Sequence, residues 1–258
     1  MQPRKIAITA GASGIGLALA EAFLAQGAEV HVCDVQAAAL ADRGRTAPAI
    51  RMCQADVSDE ADMARFFEGI GERLDVLINN AGVSGPTGRV EDITAEDWRR
   101  TIDVNLTGAF LATRLAVPRL RRGVEPAIIT MSSNAGLFGC PLRSPYVASK
   151  WALIGLTKTW AMELGPEGIT VNAICPASVA GPRIEGVIAR DAAARGLQPA
   201  AVAAEYKRQS SMRQFIQPHE VVALALFLAS PAARNISGQA LAVDGHTEGL
   251  WLDLEPVQ

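Results

Sequence analysis

Cysteine is scarce and scattered in this chain. Cys33, Cys53, Cys140 and Cys175 stand far apart, with no C-x-x-C pair and no histidine at ligand spacing. That spacing argues against a structural zinc, and no metal site is expected. Long hydrophobic runs are also missing: no stretch reaches the roughly 18 apolar residues of a membrane span. The N-terminus lacks a basic segment followed by an apolar stretch, so no secretory leader is expected. Net charge is only −3, which offers nothing to draw nucleic acid. Internal repeats, low-complexity segments and linkers are absent too. The expectation is a cytoplasmic protein that acts on a small molecule, without a nucleic-acid or membrane partner. What the chain does have is 258 residues, 49% hydrophobic and 20% charged. That is material for one large domain with a substantial core.

Short apolar runs without polar alternation recur at 5–8, 29–33, 50–55, 74–78, 127–131, 169–174 and 240–243. Such runs suit parallel strands covered on both faces. Helical stretches stand near 60–72, 95–121, 146–164 and 218–229, with helix starts at Ser58-Asp59-Glu60 and Thr94-Ala95-Glu96-Asp97. The alternation predicts an α/β fold: a single doubly wound domain over 1–258, its parallel seven-stranded sheet flanked by helices. Ligands of such sheets bind at the carboxyl ends of the strands. Cys33, Cys53 and Cys175 fall in strand runs and are expected as small core residues.

The first apolar run leads into Thr9-Ala10-Gly11-Ala12-Ser13-Gly14-Ile15-Gly16, and a helical stretch follows. A strand, a glycine-rich turn and a helix N-terminus in that order can hold a pyrophosphate on oriented N–H groups and a favourable dipole. The second run ends in Asp34, twenty residues after Gly14, where a dinucleotide fold places its ribose-binding carboxylate. A carboxylate there accepts from ribose hydroxyls and repels the 2′-phosphate of NADP. Positions 9–16 and 35–38 hold no Arg or Lys to offset that repulsion, so NAD is the expected cofactor. Asp34 could also cap the following helix, which does not exclude the ribose role.

Tyr146 and Lys150 stand four apart, on one face of a helix, with Ser133 thirteen residues upstream of Tyr146. The ammonium can lower the phenol's pKa from about 10, letting the tyrosine exchange a proton with an alcohol or carbonyl oxygen. Ser133 could hold that same oxygen. Tyr-x-x-x-Lys alone is a common pattern; the glycine turn gives it weight.

Together these residues resemble the short-chain dehydrogenase/reductase family over nearly the whole chain. Its T-G-x-x-x-G-x-G motif falls on Thr9 to Gly16, with Ala10 in place of the first glycine. Asp56 and Val57 match the adenine-contacting pair, and Asn79-Asn80-Ala81-Gly82 the segment after the fourth strand. Asn105, Ser133, Tyr146 and Lys150 match the catalytic tetrad. Pro176 and Val179 match the loop at the nicotinamide carboxamide, although Ala177 and Gly181 replace the usual Gly and Thr. The missing Thr leaves its pyrophosphate contact unmatched. The resemblance implies a Rossmann-type dehydrogenase that moves a hydride between NAD(H) and a secondary alcohol or ketone. Tyr146 would be the acid/base, Ser133 the oxygen holder and Lys150 the group that depresses the phenol and reaches the nicotinamide ribose. Asn105 would hold a water linking Lys150 to solvent. Gly14, Ile15, Gly16, Asp34, Asp56, Val57, Asn80 and Val179 would line the cofactor. Two alternatives stay open: an epimerase with tightly held NAD, and a non-catalytic dinucleotide sensor.

A substrate lid is expected over 181–217. Its Arg183, Arg190, Arg195, Lys207, Arg208 and Arg213 outnumber Glu185, Asp191 and Glu205. That surplus fits either a solvated helical face or an anionic substrate. The pocket wall near the tetrad is expected to include Asn134, Ala135, Leu137, Cys140 and Phe138 or Leu142. The family is commonly tetrameric, through helices matching 95–121 and 146–164 and through the last strand and tail. The apolar tail at 249–254 suits a subunit contact or a fold back onto its own core.

Overall fold

Alternate residues of the central strands are apolar on both sides, so each strand can bury both faces only inside a sheet covered by two helical layers. A computed structural model describes residues 2–250, apart from the Arg45 side chain, and has this arrangement. Strands β1 (Lys5–Thr9), β2 (Glu29–Asp34), β3 (Arg51–Gln54), β4 (Val76–Asn79), β5 (Ala127–Met131), β6 (Thr170–Pro176) and β7 (Ala240–Val243) form one sheet. Their order is β3-β2-β1-β4-β5-β6-β7, and every pair is parallel. Ile6 and Ile8 point to one core with Leu19, Phe23, Val32, Ile78, Val221 and Ala225. Ala7 points to the other, with Met63, Phe67, Leu77, Leu111, Ile128 and Trp160.

Helices α1 (Gly14–Ala25), α2 (Ala37–Thr46), α3 (Glu60–Ile70), α4 (Ala95–Ile102), α5 (Gly108–Leu120), α6 (Ser144–Leu164), α7 (Pro182–Arg195), α8 (Pro199–Arg208) and α9 (Pro218–Leu228) connect the strands. Two start as expected: Asp59 accepts from Asp62 N at 2.9 Å, and Thr94 Oγ1 from Asp97 N at 3.0 Å. The strands agree with the apolar runs to within two residues. The stretch at 95–121 departs from expectation. It is not one helix: a π-helical turn over Asp103–Thr107 separates α4 from α5, with Asn105 at its centre. Cys33 and Cys175 are buried as expected, but Cys53 is only half-buried because β3 is an edge strand.

The chain runs outward from β1 through β2 to β3, then returns to β4 on the other side of β1. The carboxyl ends of β1 and β4 therefore diverge, and the crevice between them is the topological switch point where such sheets bind ligands. Helices α7 and α8 follow β6 and pack around their own small core of Ile184, Val187, Ile188, Ala192 and Val202. Backbone bonds from Ala180 N to Ile216 O (2.8 Å) and from Ile216 N to Ser178 O (3.0 Å) close the base of this excursion beside Val179.

Candidate active site

The glycine turn sits at the switch point and is fastened to β4. Thr9 Oγ1 accepts from the backbone of Asn80 (3.0 Å) and Ala81 (2.9 Å), while Asn80 Nδ2 donates to the carbonyls of Thr9 and Ala10, both at 3.0 Å. Asn80 thus shapes the turn, with its amide hydrogens committed to it. A Cβ on Gly16 would stand 2.1 Å from the Ala10 carbonyl oxygen, so glycine is obligatory there. Gly14 takes φ +53°, which glycine adopts without cost. Ser13 caps α1 without a side-chain hydrogen bond and no acidic residue stands in the first turn. Its leading N–H groups keep their affinity for an anion. Ile15 is half-buried and packs on the core beneath.

Asp34 closes the other side of the crevice. It is buried, with Oδ2 accepting from Ala12 N and Oδ1 from Gln36 N, both at 3.1 Å. Each oxygen keeps a second lone pair for a ribose hydroxyl. Asp34 does not cap α2, whose N-cap is Gln36. Past β3, Asp56 Oδ1 accepts from Ser58 N (2.9 Å) and Ser58 Oγ (2.6 Å). Val57 packs on Gly108, where a Cβ would come within 2.7 Å of its methyl.

Beyond β5 stands the tetrad. Lys150 is buried, and its Nζ donates to the Met131 carbonyl at 2.8 Å, 5.6 Å from the centre of the Tyr146 ring. Ser133 Oγ accepts from Ala135 N and donates to Asn134 Oδ1, both at 3.1 Å, and lies within hydrogen-bonding reach of the phenol. Removal from water pushes the phenol up. Lys150, then Arg183, Ser133 and Arg143 push it down and prevail, so Tyr146 lies below its ordinary value. Burial likewise holds the Lys150 ammonium below its own, against the pull of Tyr146.

Asn105 is buried at the centre of the π-helical turn. Its Oδ1 accepts from Val83 N (2.7 Å), and its Nδ2 donates to Val83 O and Ser149 Oγ, both at 3.0 Å. The amide clamps the loop after β4 to the turn of α6 that carries Lys150. Three residues at the site escaped the sequence reading. Thr9 holds the turn, a role visible only once β4 lies beside β1. Arg143 lies with its guanidinium carbon 5.3 Å from the Tyr146 ring centre; its place one helical turn before the tyrosine was the available signal. Arg183, grouped with the lid charges, acts on the tyrosine from α7.

The expected pocket wall divides. Asn134 and Ala135 are buried beside Ser133. Phe138 and Cys140 instead line a groove of about 940 Å³ with Trp98, Val147, Ala148, Trp151 and Leu250. Val147, Ala148 and Trp151 belong to the side of α6 turned away from Tyr146 and Lys150. Leu250 is itself buried there, as a tail folding onto its own chain requires; 251–258 lie outside the described residues.

A glycine turn at a helix N-terminus, a buried carboxylate and a depressed tyrosine around one crevice fit a nicotinamide dinucleotide-dependent oxidoreductase. The comparisons agree. A family model described as enoyl-(acyl carrier protein) reductase matches residues 9–246. A D-beta-hydroxybutyrate dehydrogenase from Cupriavidus necator is 37% identical over 250 residues, covering 92% of this chain and 95% of that protein. A galactitol 2-dehydrogenase from Agrobacterium fabrum is 35% identical, covering 95% and 96%. The crystal structure of levodione reductase superposes with a TM-score of 0.86 at 30% identity, covering 94% of this chain and 96% of that one. The chain belongs to the short-chain dehydrogenase/reductase family. It is an oxidoreductase that transfers a hydride between a nicotinamide dinucleotide and a secondary alcohol or ketone.

Proposed function

We propose that this enzyme is an NAD-preferring dehydrogenase of small secondary alcohols with Tyr146 as its acid/base. The observation that carries this reading is the Tyr146 phenol, held below its ordinary value beside Lys150 and Ser133 at the carboxyl ends of the strands. The bound nicotinamide supplies the hydride acceptor. Tyr146 as phenolate takes the hydroxyl proton of the alcohol. Ser133 orients the substrate oxygen, and Lys150, with hydrogens left beyond the Met131 bond, reaches the nicotinamide ribose and keeps the phenol acidic. Asn105 positions Lys150 through Ser149.

The cradle fits the dinucleotide: nothing lies within 4 Å of a Cβ built on Gly14, and the first turn of α1 has no side-chain cap. Gly14, Ile15, Gly16 and Asn80 form or shape the pyrophosphate side, Asp56 and Val57 the adenine side, and Val179 the nicotinamide side. Asp34 supports NAD over NADP, because a buried carboxylate repels a 2′-phosphate. The excursion at 181–217, with its own core, is proposed as the substrate lid of a single catalytic unit.

The relatives that act on hydroxybutyrate and galactitol support a small polar alcohol as partner. Exposed Trp98, Phe110, Trp151 and Met162 on α4, α5 and α6 support a homotetramer. Four free cysteines support a reducing cytoplasm. Among the described residues no helix is long and apolar enough to cross a membrane.

The test follows NADH formation with NAD and a panel of secondary alcohols, polyols and hydroxy acids. Tyr146→Phe is expected to abolish turnover while still binding NAD. Turnover unchanged in Tyr146→Phe would refute the assignment.

A further inference from the structure

Arg143 is a cation in an unusual position. It is 7% exposed, at the N-cap of α6. Its Nη2 donates to the Ser84 carbonyl at 2.6 Å, its guanidinium lies over the Tyr146 ring, and its buried Nε–H has no acceptor. No carboxylate of the described residues forms an ion pair with it. A second guanidinium converges on the same loop: Arg190 Nη2 donates to Ser84 Oγ at 2.9 Å. Arg183 adds a third positive charge toward the tyrosine. The buried Asp191 is within electrostatic range of Arg143; it pairs with Arg195 at 3.7 Å and faces the Tyr206 hydroxyl. Burying a guanidinium without an ionic partner is costly. Here the cost falls beside the proposed proton-transfer group.

We infer that Arg143 is the anchor for an anionic group on the substrate. The substrates are then small hydroxy acids, with the carboxylate on the guanidinium and the hydroxyl between Ser133 and Tyr146. The inference rests on the reading of Tyr146 as the acid/base. Two further features favour it. The N-terminus of α6 adds a positive dipole end at Arg143, with no acidic residue in its first turn. Asp191 close by disfavours a doubly charged phosphate and selects a single carboxylate.

Two measurements test this. The first is the ratio of kcat/KM for 3-hydroxybutyrate to that for 2-butanol, in wild type, Arg143→Gln and Arg143→Lys. Loss of a charge-assisted hydrogen bond is expected to lower this ratio about 10- to 100-fold in Arg143→Gln, and Arg143→Lys is expected to restore part of it. A general structural effect would lower both substrates and leave the ratio unmoved, which would overturn the inference. The second is the change in bound-NADH fluorescence on adding butyrate, which cannot react. Butyrate binding is expected in wild type and lost in Arg143→Gln; equal binding in both would overturn the anchor. Inorganic phosphate matching butyrate would overturn the choice of a carboxylate. Arg143-dependent butyrate binding without turnover of any alcohol would uphold the anchor while sinking the role of Tyr146.

Discussion

Ala10 occupies a place in the turn that favours glycine, and the mismatch has a measurable consequence. Its φ is +53°, in the left-handed region, and its carbonyl is pinned by Asn80 at 3.0 Å, so the turn cannot relax away. A side chain in that region costs about 1–2 kcal/mol. Replacing it by glycine removes this strain but frees the unfolded chain by about 0.5–1 kcal/mol. Ala10→Gly is therefore expected to stabilise the protein by about 0.5–1 kcal/mol net, which for a chain of this size raises Tm by about 1–4 °C. The assay is calorimetry of wild type and variant at one protein concentration without cofactor, since binding and assembly both shift Tm. The opposite perturbation serves as a control: Gly16→Ala places a methyl 2.1 Å from the Ala10 carbonyl oxygen and is expected to destabilise the turn and weaken NAD binding. A Tm for Ala10→Gly equal to or below wild type would refute the argument that the alanine is strained.

Two further predictions concern the chemistry. Because cations hold the Tyr146 phenol down, alcohol oxidation should rise with pH through a midpoint below that of free tyrosine, and Lys150→Met should move that midpoint upward. A kcat/KM profile for residual activity that keeps its midpoint in Lys150→Met would contradict this. Asp34→Ser should lower kcat/KM with NAD about 10- to 100-fold, the scale of hydrogen bonds to a charged group, and shift preference toward NADP. An unchanged NAD to NADP ratio would remove Asp34 from the ribose site.

The sheet was legible because parallel strands buried on both faces are short, apolar and unalternating, as at Ala127–Met131. Helix starts were legible at Asp59 and Thr94, where the capping chemistry is local. The π-turn around Asn105 was not. Nothing between Ala95 and Leu120 forbids a continuous helix until Pro118, and the bonds from Asn105 to Val83 and Ser149 join segments distant in sequence. The tetrad and the glycine turn were legible as spacings. What spacing could not convey was which polar atoms are bonded within the protein: the amide hydrogens of Asn80 hold the glycine turn, and those of Asn105 join Val83 to Ser149. The bearing of Arg143 and Arg183 on the tyrosine was hard to read from the sequence for a different reason. Their influence on Tyr146 runs through space, from a helix cap and from the excursion after β6.

The fastening of the glycine turn bears on how the protein is made. Thr9 and Ala10 meet Asn80 only after β1 has paired with β4, which lies seventy residues further along the chain. A nascent chain that ends before Asn80 carries the whole glycine motif and cannot hold its shape. Formation of the turn therefore waits on closure of a long loop, although the motif itself lies among the first sixteen residues.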